Sequence, residues 1–164
     1  MQRFSKNGDV LRPLASGGDV EATFAAPRGI HADPEGVFVA DTLAGRVQRF
    51  RADGTFVAHL PVRTAPAMAR PIAVLRLAAD RVLVADRGDE AGLVVISTSG
   101  APSLAAAAMH EHVREPVALA ADERGRVYVL DSGGERVVRF HPDLSFDDEV
   151  VDLAEHLDDW SPRS

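Results

Sequence analysis

The chain has 164 residues, no cysteine and a formal net charge of −7, and its length corresponds to a single domain. Without cysteine it can form no disulfide bond and no thiolate metal site, and its acidic balance argues against a nucleic-acid partner. No apolar stretch approaches the roughly 18 residues of a membrane-spanning helix, and the N-terminal segment has no signal-peptide core. The compartment stays undetermined, with the cytoplasm as the default expectation.

The first turn signal in the chain is the pair Asn7 and Gly8, which supplies the positive φ angles of a tight hairpin. A similar turn returns 46 residues after Asn7, at Asp53 and Gly54. Residues 1–14 are therefore predicted to form the last two strands of a four-stranded unit. Since the chain starts within the third strand of that unit, we expect either a fragment of a longer protein or a ring that another chain completes.

A repeat with a period of 45 residues occupies the rest of the chain. Three similar segments, VFVAD, VLVAD and VYVLD, end at Asp41, Asp86 and Asp131. A period between about 20 and 50 residues indicates a repeat architecture. Polar turns separate the segments of each repeat, and each repeat opens on a proline: Pro27, Pro71 and Pro116.

The strands within a repeat differ in polarity. The second strand is apolar on both faces, so it must be covered on both sides. The third and fourth strands, such as 46–50 and 55–60, mix charged with apolar residues. This gradient is expected of a sheet that runs from a buried centre to a solvated rim, which is the blade of a β-propeller. A β-solenoid is the alternative, but its rungs are usually shorter and lack this succession of hairpins.

The pattern predicts an all-β fold: a β-propeller with an incomplete ring of three four-stranded blades plus half a blade. The half-blade is predicted at 1–14 and the repeats at 15–60, 61–104 and 105–146. Residues 147–164 form an acidic tail in which apolar residues recur at helical spacing. The sequence leaves open whether this tail forms an outer strand or a short helix.

The first full repeat resembles the NHL repeat. The segments that carry the resemblance are FAAPRGI at 24–30, DPEGVFVADT at 33–42 and GRVQRF at 45–50. The third repeat matches well, whereas the second departs from the pattern after Asp86, so the resemblance covers nearly the whole chain before the acidic tail. It implies a six-bladed propeller of NHL type and a family whose functions differ widely, RNA binding among them.

The repeated aspartates Asp41, Asp86 and Asp131 are interpreted as structural residues. Each ends a strand at a turn, where its carboxylate can accept backbone N–H bonds. Arg46 and Arg136 lie five residues after Asp41 and Asp131, placed to pair with them across the turn. The second repeat is expected to lack this brace, and a catalytic role is the alternative.

Arg28 and His31 are the candidates for ligand binding. His31 falls in the innermost strand, and an imidazole facing a central channel can act as acid, base or ligand. A packing role is its alternative. Arg28 follows the opening proline and is the candidate for an anion contact. Zinc-dependent amidating lyases resemble the NHL family and carry a metal-binding histidine at this position. The residues found there, Arg28, Ile72 and Val117, argue against that activity.

His110 and His112 are weak candidates for a metal site. In an extended segment the two imidazoles share a face, but zinc takes three or four ligands and no third one is evident nearby. No cofactor is expected. No serine lies in a nucleophile elbow, and no glycine-rich loop has the spacing of a phosphate cradle.

The leading functional hypothesis is a non-catalytic scaffold that binds a protein or small molecule which the sequence does not identify. A propeller enzyme of lyase or lactonase type, using Arg28 and His31 in the channel, is the first alternative. An RNA-binding NHL domain is the second, and the acidic charge disfavours it. Because the terminal blades lack neighbours within the chain, self-association or the presence of further blades is also expected.

Overall fold

The computed structural model describes residues 2–11, 13–14, 22–62, 69–89, 91–99, 104–105, 109 and 111–152, and the structural statements below concern these residues. No helix among them is long and apolar enough to cross a membrane. The strands are β1 (Arg3–Phe4), β2 (Val10–Leu11), β3 (Pro27–Asp33), β4 (Gly36–Asp41), β5 (Arg46–Phe50), β6 (Phe56–Pro61), β7 (Pro71–Ala78), β8 (Arg81–Asp86), β9 (Gly92–Ser97), β10 (Leu104–Ala105), β11 (Pro116–Ala121), β12 (Val127–Asp131), β13 (Arg136–Phe140) and β14 (Phe146–Asp152), with a 3₁₀ turn at Thr42–Ala44.

Each run of four consecutive strands from β3 onward forms one antiparallel sheet in chain order. We call the sheets β3–β6, β7–β10 and β11–β14 the first, second and third blades, and the two-stranded sheet β1–β2 the half-blade. The predicted all-β fold of three four-stranded units and a half unit is confirmed. The outer strand β14 includes the beginning of the predicted acidic tail, and residues 153–164 lie outside the described part of the chain.

Glycine occupies two of the tight hairpins that end in outer strands, whereas Leu144, with a φ angle of 69°, lies in the hairpin before β14. Gly8, between β1 and β2, has a φ angle of 89°, and Gly54, between β5 and β6, has one of 94°. These angles lie in the left-handed region, which glycine adopts without the steric penalty that a Cβ brings. The turn chemistry read from the sequence therefore operates at both positions.

The hydrophobic cores lie between the blades. Phe38 and Ala40 on β4 pack in one cluster with Val82 and Val84 of the second blade. The intervening Val39 belongs to a different cluster, on the half-blade side. The same alternation continues into the third blade, where Leu83 and Ala85 join Val127 and Val129. Strand β8, which is apolar on both faces, is thus covered by a neighbouring sheet on each side.

The inner strands approach one another closely. Strands β3 and β11 both pack against β7. A Cβ atom added to Gly29 on β3 would lie 2.5 Å from the carbonyl oxygen of Ile72 and 2.7 Å from the Cα of Ala73, both on β7. Since packed atoms do not approach this closely, glycine at this position permits the observed spacing of the first two blades.

Candidate functional site at the inner strands

Strand β3 carries both of the sequence-predicted ligand-binding residues. Arg28 is exposed, and its guanidinium makes no hydrogen bond or ion pair with the described residues. His31 pairs in register with Phe38, so its side chain shares the face that packs against the second blade. It is 24% exposed. No hydrogen bond or ion pair joins these two residues, and their chemistry is therefore separate.

The imidazole of His31 lies beside a carboxylate that other groups already hold. Its Nε2 is 3.7 Å from Oδ2 of Asp33, outside hydrogen-bond distance. The same Oδ2 accepts a 2.8 Å hydrogen bond from Nη1 of Arg76, on β7 of the second blade. Backbone N–H groups of Glu35 and Gly36 donate to the other carboxylate oxygen, at 2.8 and 3.0 Å.

Arg76 connects the first and second blades. Its Nη2 donates to the Glu35 carboxylate, and its Nε donates to the carbonyl oxygen of Ala78 at 3.1 Å. The Arg76 side chain is only 9% exposed. Hydrogen bonding to Glu35 raises the pKa of Arg76, so the group stays charged. We call Arg76, Asp33 and Glu35 the interblade cluster.

The interblade cluster keeps Asp33 ionised. Burial alone would raise the pKa of Asp33, but the hydrogen bonds from Arg76 and from the backbone of Glu35 and Gly36 outweigh it. The pKa therefore lies below its ordinary value of 3.8. A carboxylate with a lowered pKa is a weak general base near neutral pH, because base strength falls with pKa. The cluster is better suited to joining blades than to proton transfer.

A shallow depression of about 340 Å³ opens over the interblade cluster. Its polar side chains are the three members of the cluster, and its apolar lining comes from Pro34 and from residues 77–79. Because the carboxylates and the guanidinium already bind one another, a ligand here would have to displace interblade contacts.

The three repeated aspartates form a second arrangement, at the opposite end of the inner strands. The carboxylate of Asp41 accepts hydrogen bonds from the backbone of Ala25 and Ala26 at 2.9 Å, and Asp131 accepts one from Glu115 at 2.7 Å. Asp86 accepts one from the backbone of Arg70 at 2.5 Å. Each carboxylate is fully buried. In every blade the residue after the aspartate also donates its N–H to the carbonyl oxygen that precedes the opening proline: Thr42 to Ala26, Arg87 to Arg70, and Ser132 to Glu115.

We call each repeated aspartate, together with the backbone N–H groups that it binds, a clasp. Two of the three clasps also include an arginine. Nε of Arg46 lies 3.8 Å from Oδ2 of Asp41, and Nε of Arg136 lies 3.5 Å from Oδ2 of Asp131. In the second blade the residue opposite Asp86 in the ladder is Gly92, which has no side chain to offer. The clasps tie the chain segment entering each blade to the end of its second strand.

His112 contributes to packing. Its ring stacks on Phe146 with 4.1 Å between centroids and an interplanar angle of 16°. His110 lies outside the described residues. Across the described ranges, no group of three or more His, Cys, Asp or Glu side chains is arranged to hold a metal ion. The proposed pairing of His110 with His112 at a metal thus has no described third ligand.

The structural roles of three residues were not predicted from the sequence. Arg76 is a lone charge inside the apolar strand PIAVLRLA, and this pattern is a signal for a buried ion pair. Gln48 is fully buried, and its Nε2 donates to Thr23 and Asp41 at 2.7 and 3.0 Å. Arg49 donates across the blade interface to the carbonyl oxygen of Thr98 at 3.3 Å.

Comparison with known proteins finds similarity in structure only. No protein family matches the sequence, and no curated protein does. The chain is similar to virginiamycin B lyase from Staphylococcus aureus, with 15% sequence identity and a TM-score of 0.60, over 91% of this chain and 47% of that one. It is also similar to a protein of unknown function from Bacteroides thetaiotaomicron, with 18% identity and a TM-score of 0.52, over 80% of this chain and 32% of that one.

These similarities show the fold alone. The neighbours are β-propeller proteins, so the three blades belong to that architecture. The chain spans less than half the length of either neighbour. Since no family matched, assignment to the NHL type stays a prediction.

Proposed function

We propose that the chain is part of an NHL-type propeller that acts as a non-catalytic scaffold for a protein or small-molecule partner. The observation that carries this proposal is that five ionisable groups near the two ends of the inner strands already have partners. Asp33, Glu35 and Arg76 bind one another across the first blade interface, and Asp41 and Asp131 bind backbone N–H groups. Ionisable groups that are bound in this way maintain the shape of the surface that a partner would contact.

Arg28 is the residue through which this scaffold contacts an anionic group of its partner. It is exposed at the beginning of an inner strand, while the corresponding positions hold the uncharged Ile72 and Val117. A guanidinium recognises carboxylate or phosphate through paired N–H donors. The partner therefore presents a carboxylate or phosphate at the end of the inner strands where the clasps lie.

Affinity capture with matched charge reversals tests this proposal. Arg28→Glu should abolish recovery of a partner from an extract of the source cells. Arg51→Glu should leave it unchanged, because Arg51 is exposed at the β5–β6 turn, away from the inner strands. Recovery that survives Arg28→Glu would contradict the assignment of the binding surface.

A lyase is the second candidate, and the structural similarity to virginiamycin B lyase favours it. Incubation with virginiamycin B, followed by liquid chromatography, distinguishes the two functions. The scaffold proposal expects no loss of the compound beyond that in a heat-denatured control. If the compound is lost and either His31→Ala or Arg28→Ala abolishes that loss, the scaffold proposal is wrong and the chain acts as a propeller enzyme of lyase type.

A further inference from the structure

The half-blade is docked on the first blade in the way that the first blade is docked on the second. In the first blade, Arg49 on β5 donates to the carbonyl oxygen of Thr98 in the second. Arg3 on β1 donates to the carbonyl oxygens of Ala52 and Asp53 in the first blade, both at 2.5 Å. Strand β1 therefore occupies the place of a third strand, and β2 the place of a fourth.

The described residues include no first or second strand for the half-blade. A side chain of the first blade that faces the half-blade is correspondingly exposed. Ile30 on β3 pairs with Val39, as Val74 on β7 pairs with Val84. Val74 is 4% exposed because it packs against the first blade, whereas Ile30 is 56% exposed.

The phenylalanine of the third strand shows the same contrast. Phe50 and Phe140 are fully buried, but Phe4, at the corresponding place in the half-blade, is 60% exposed. Phe50 pairs with Phe56 across the outer hairpin as Phe4 pairs with Val10. Burial of this position requires strands that flank β1 on its other side.

A notch of about 300 Å³ lies between the half-blade and the first blade. One wall is β1, which pairs with β2 on one edge and with no other described strand. The apolar lining of the notch includes Phe4, Leu11, Leu14, Ile30, Ala32 and Val37. An unpaired strand edge beside apolar side chains is the arrangement that accepts an added β-strand.

We infer that this notch binds an antiparallel β-hairpin of the repeat type. The second strand of the hairpin pairs with the open edge of β1, and its apolar side chains cover Ile30, as Phe38 and Ala40 cover Val74 at the first blade interface. The three blades define the chemistry of the occupant: a first strand that opens on proline, then a second strand of alternating valine that ends in aspartate. The inference rests on the blade geometry and is independent of the proposed scaffold function.

Extending the chain with its own hairpin tests the inference. Residues 116–136, which comprise β11, β12 and the following turn, are copied directly in front of Met1, since Phe4 then follows the copied turn at the spacing of Phe140 in the third blade. A covalent connection keeps the effective concentration of the hairpin high, so weak intrinsic affinity does not hide the interaction. The matched control carries Leu130→Asp in the copied segment alone.

The extended chain should melt at least about 4 °C above the control, because the copied Leu130 covers Ile30 in one and cannot in the other. Ile30→Asp in the body of the chain should remove that difference, while Val57→Asp, at an exposed position of outer strand β6, should preserve it. Equal melting temperatures for the extended chain and its control would overturn the inference. A difference that persists with Ile30→Asp would also overturn it, since the hairpin would then lie elsewhere.

Discussion

At the scale of single residues, buried carboxylates connect segments that are distant in sequence. The carboxylate of Asp131 accepts N–H groups from Arg114 and Glu115 and faces Arg136. A hydrogen bond to a buried charged acceptor contributes more to the free energy of unfolding than an exposed ion pair does. When such an acceptor is removed, its buried N–H donors are left with neither a protein acceptor nor water. This argument assigns the repeated aspartates to stability.

Asp131→Ala should therefore destabilise the protein by about 2–3 kcal/mol, through the loss of these buried hydrogen bonds. The melting temperature, followed by circular dichroism, should fall by roughly 5–10 °C. Asp148→Ala is the matched control, because the Asp148 carboxylate is 62% exposed, and it should change little. Unchanged stability of Asp131→Ala together with lost partner binding would make the structural assignment wrong.

The Arg76–Asp33 contact should make stability depend on pH in the acid range. The pKa of Asp33 is lowered in the folded state, so the contact stabilises the fold above the ordinary value of 3.8 and is lost as the pH falls through the folded-state pKa. Arg76→Gln should lower the melting temperature at pH 7, and its difference from wild type should shrink below about pH 4.

Melting curves between pH 2.5 and 7 measure this linkage. Arg81→Gln is the control, since Arg81 is exposed on β8, and its curve should follow wild type throughout. A wild-type advantage over Arg76→Gln that stays constant down to pH 2.5 would show that Arg76 acts through packing and not through the Asp33 charge.

At the scale of elements, the spacing of inner strands depends on residue size at one register position. Gly29 pairs with Ala40, and its place in the third blade is taken by Ala118, which pairs with Leu130. Gly29 faces the backbone of β7 at close range, whereas Ala118 is exposed. The same position is therefore crowded where a further blade follows and open where none is described.

Gly29→Ala should destabilise the protein by about 1–3 kcal/mol, because β3 and β7 must separate to admit the methyl group. Ala118→Val adds volume at the corresponding exposed position and should stay within about 0.5 kcal/mol of wild type. Urea denaturation of both variants measures the free energies of unfolding. Equal effects would show that the β3–β7 spacing adjusts freely.

At the scale of the whole molecule, the third blade has a face without a described neighbour. Tyr128, Leu130 and Val137 occupy the places that Phe38, Ala40 and Val47 hold in the first blade. The first-blade residues are at most 1% exposed because the second blade covers them. The third-blade residues are all partly exposed. Contiguous apolar surface of this kind favours association.

We expect the purified chain to self-associate at micromolar concentration. Sedimentation velocity should show species larger than the monomer, and Leu130→Lys combined with Val137→Lys should reduce them by placing charge on the open face. A wild-type chain that is strictly monomeric, with one sharp melting transition, would contradict this expectation and would show that the open face is capped.

Most of the fold could be predicted from the sequence because its determinants are local. The 45-residue period, the turn residues Asn7–Gly8 and Asp53–Gly54, and second strands apolar on both faces each act within a few residues of chain, and together they predicted stacked four-stranded blades. Tertiary structure alone decided the candidate site. The face of β3 that carries His31 is decided by the packing of Phe38 with Val82, and Arg76 is bound by Asp33 and Glu35. These contacts join residues more than 40 positions apart. Such contacts are created when two sheets pack, and no local pattern records which charges that packing brings together.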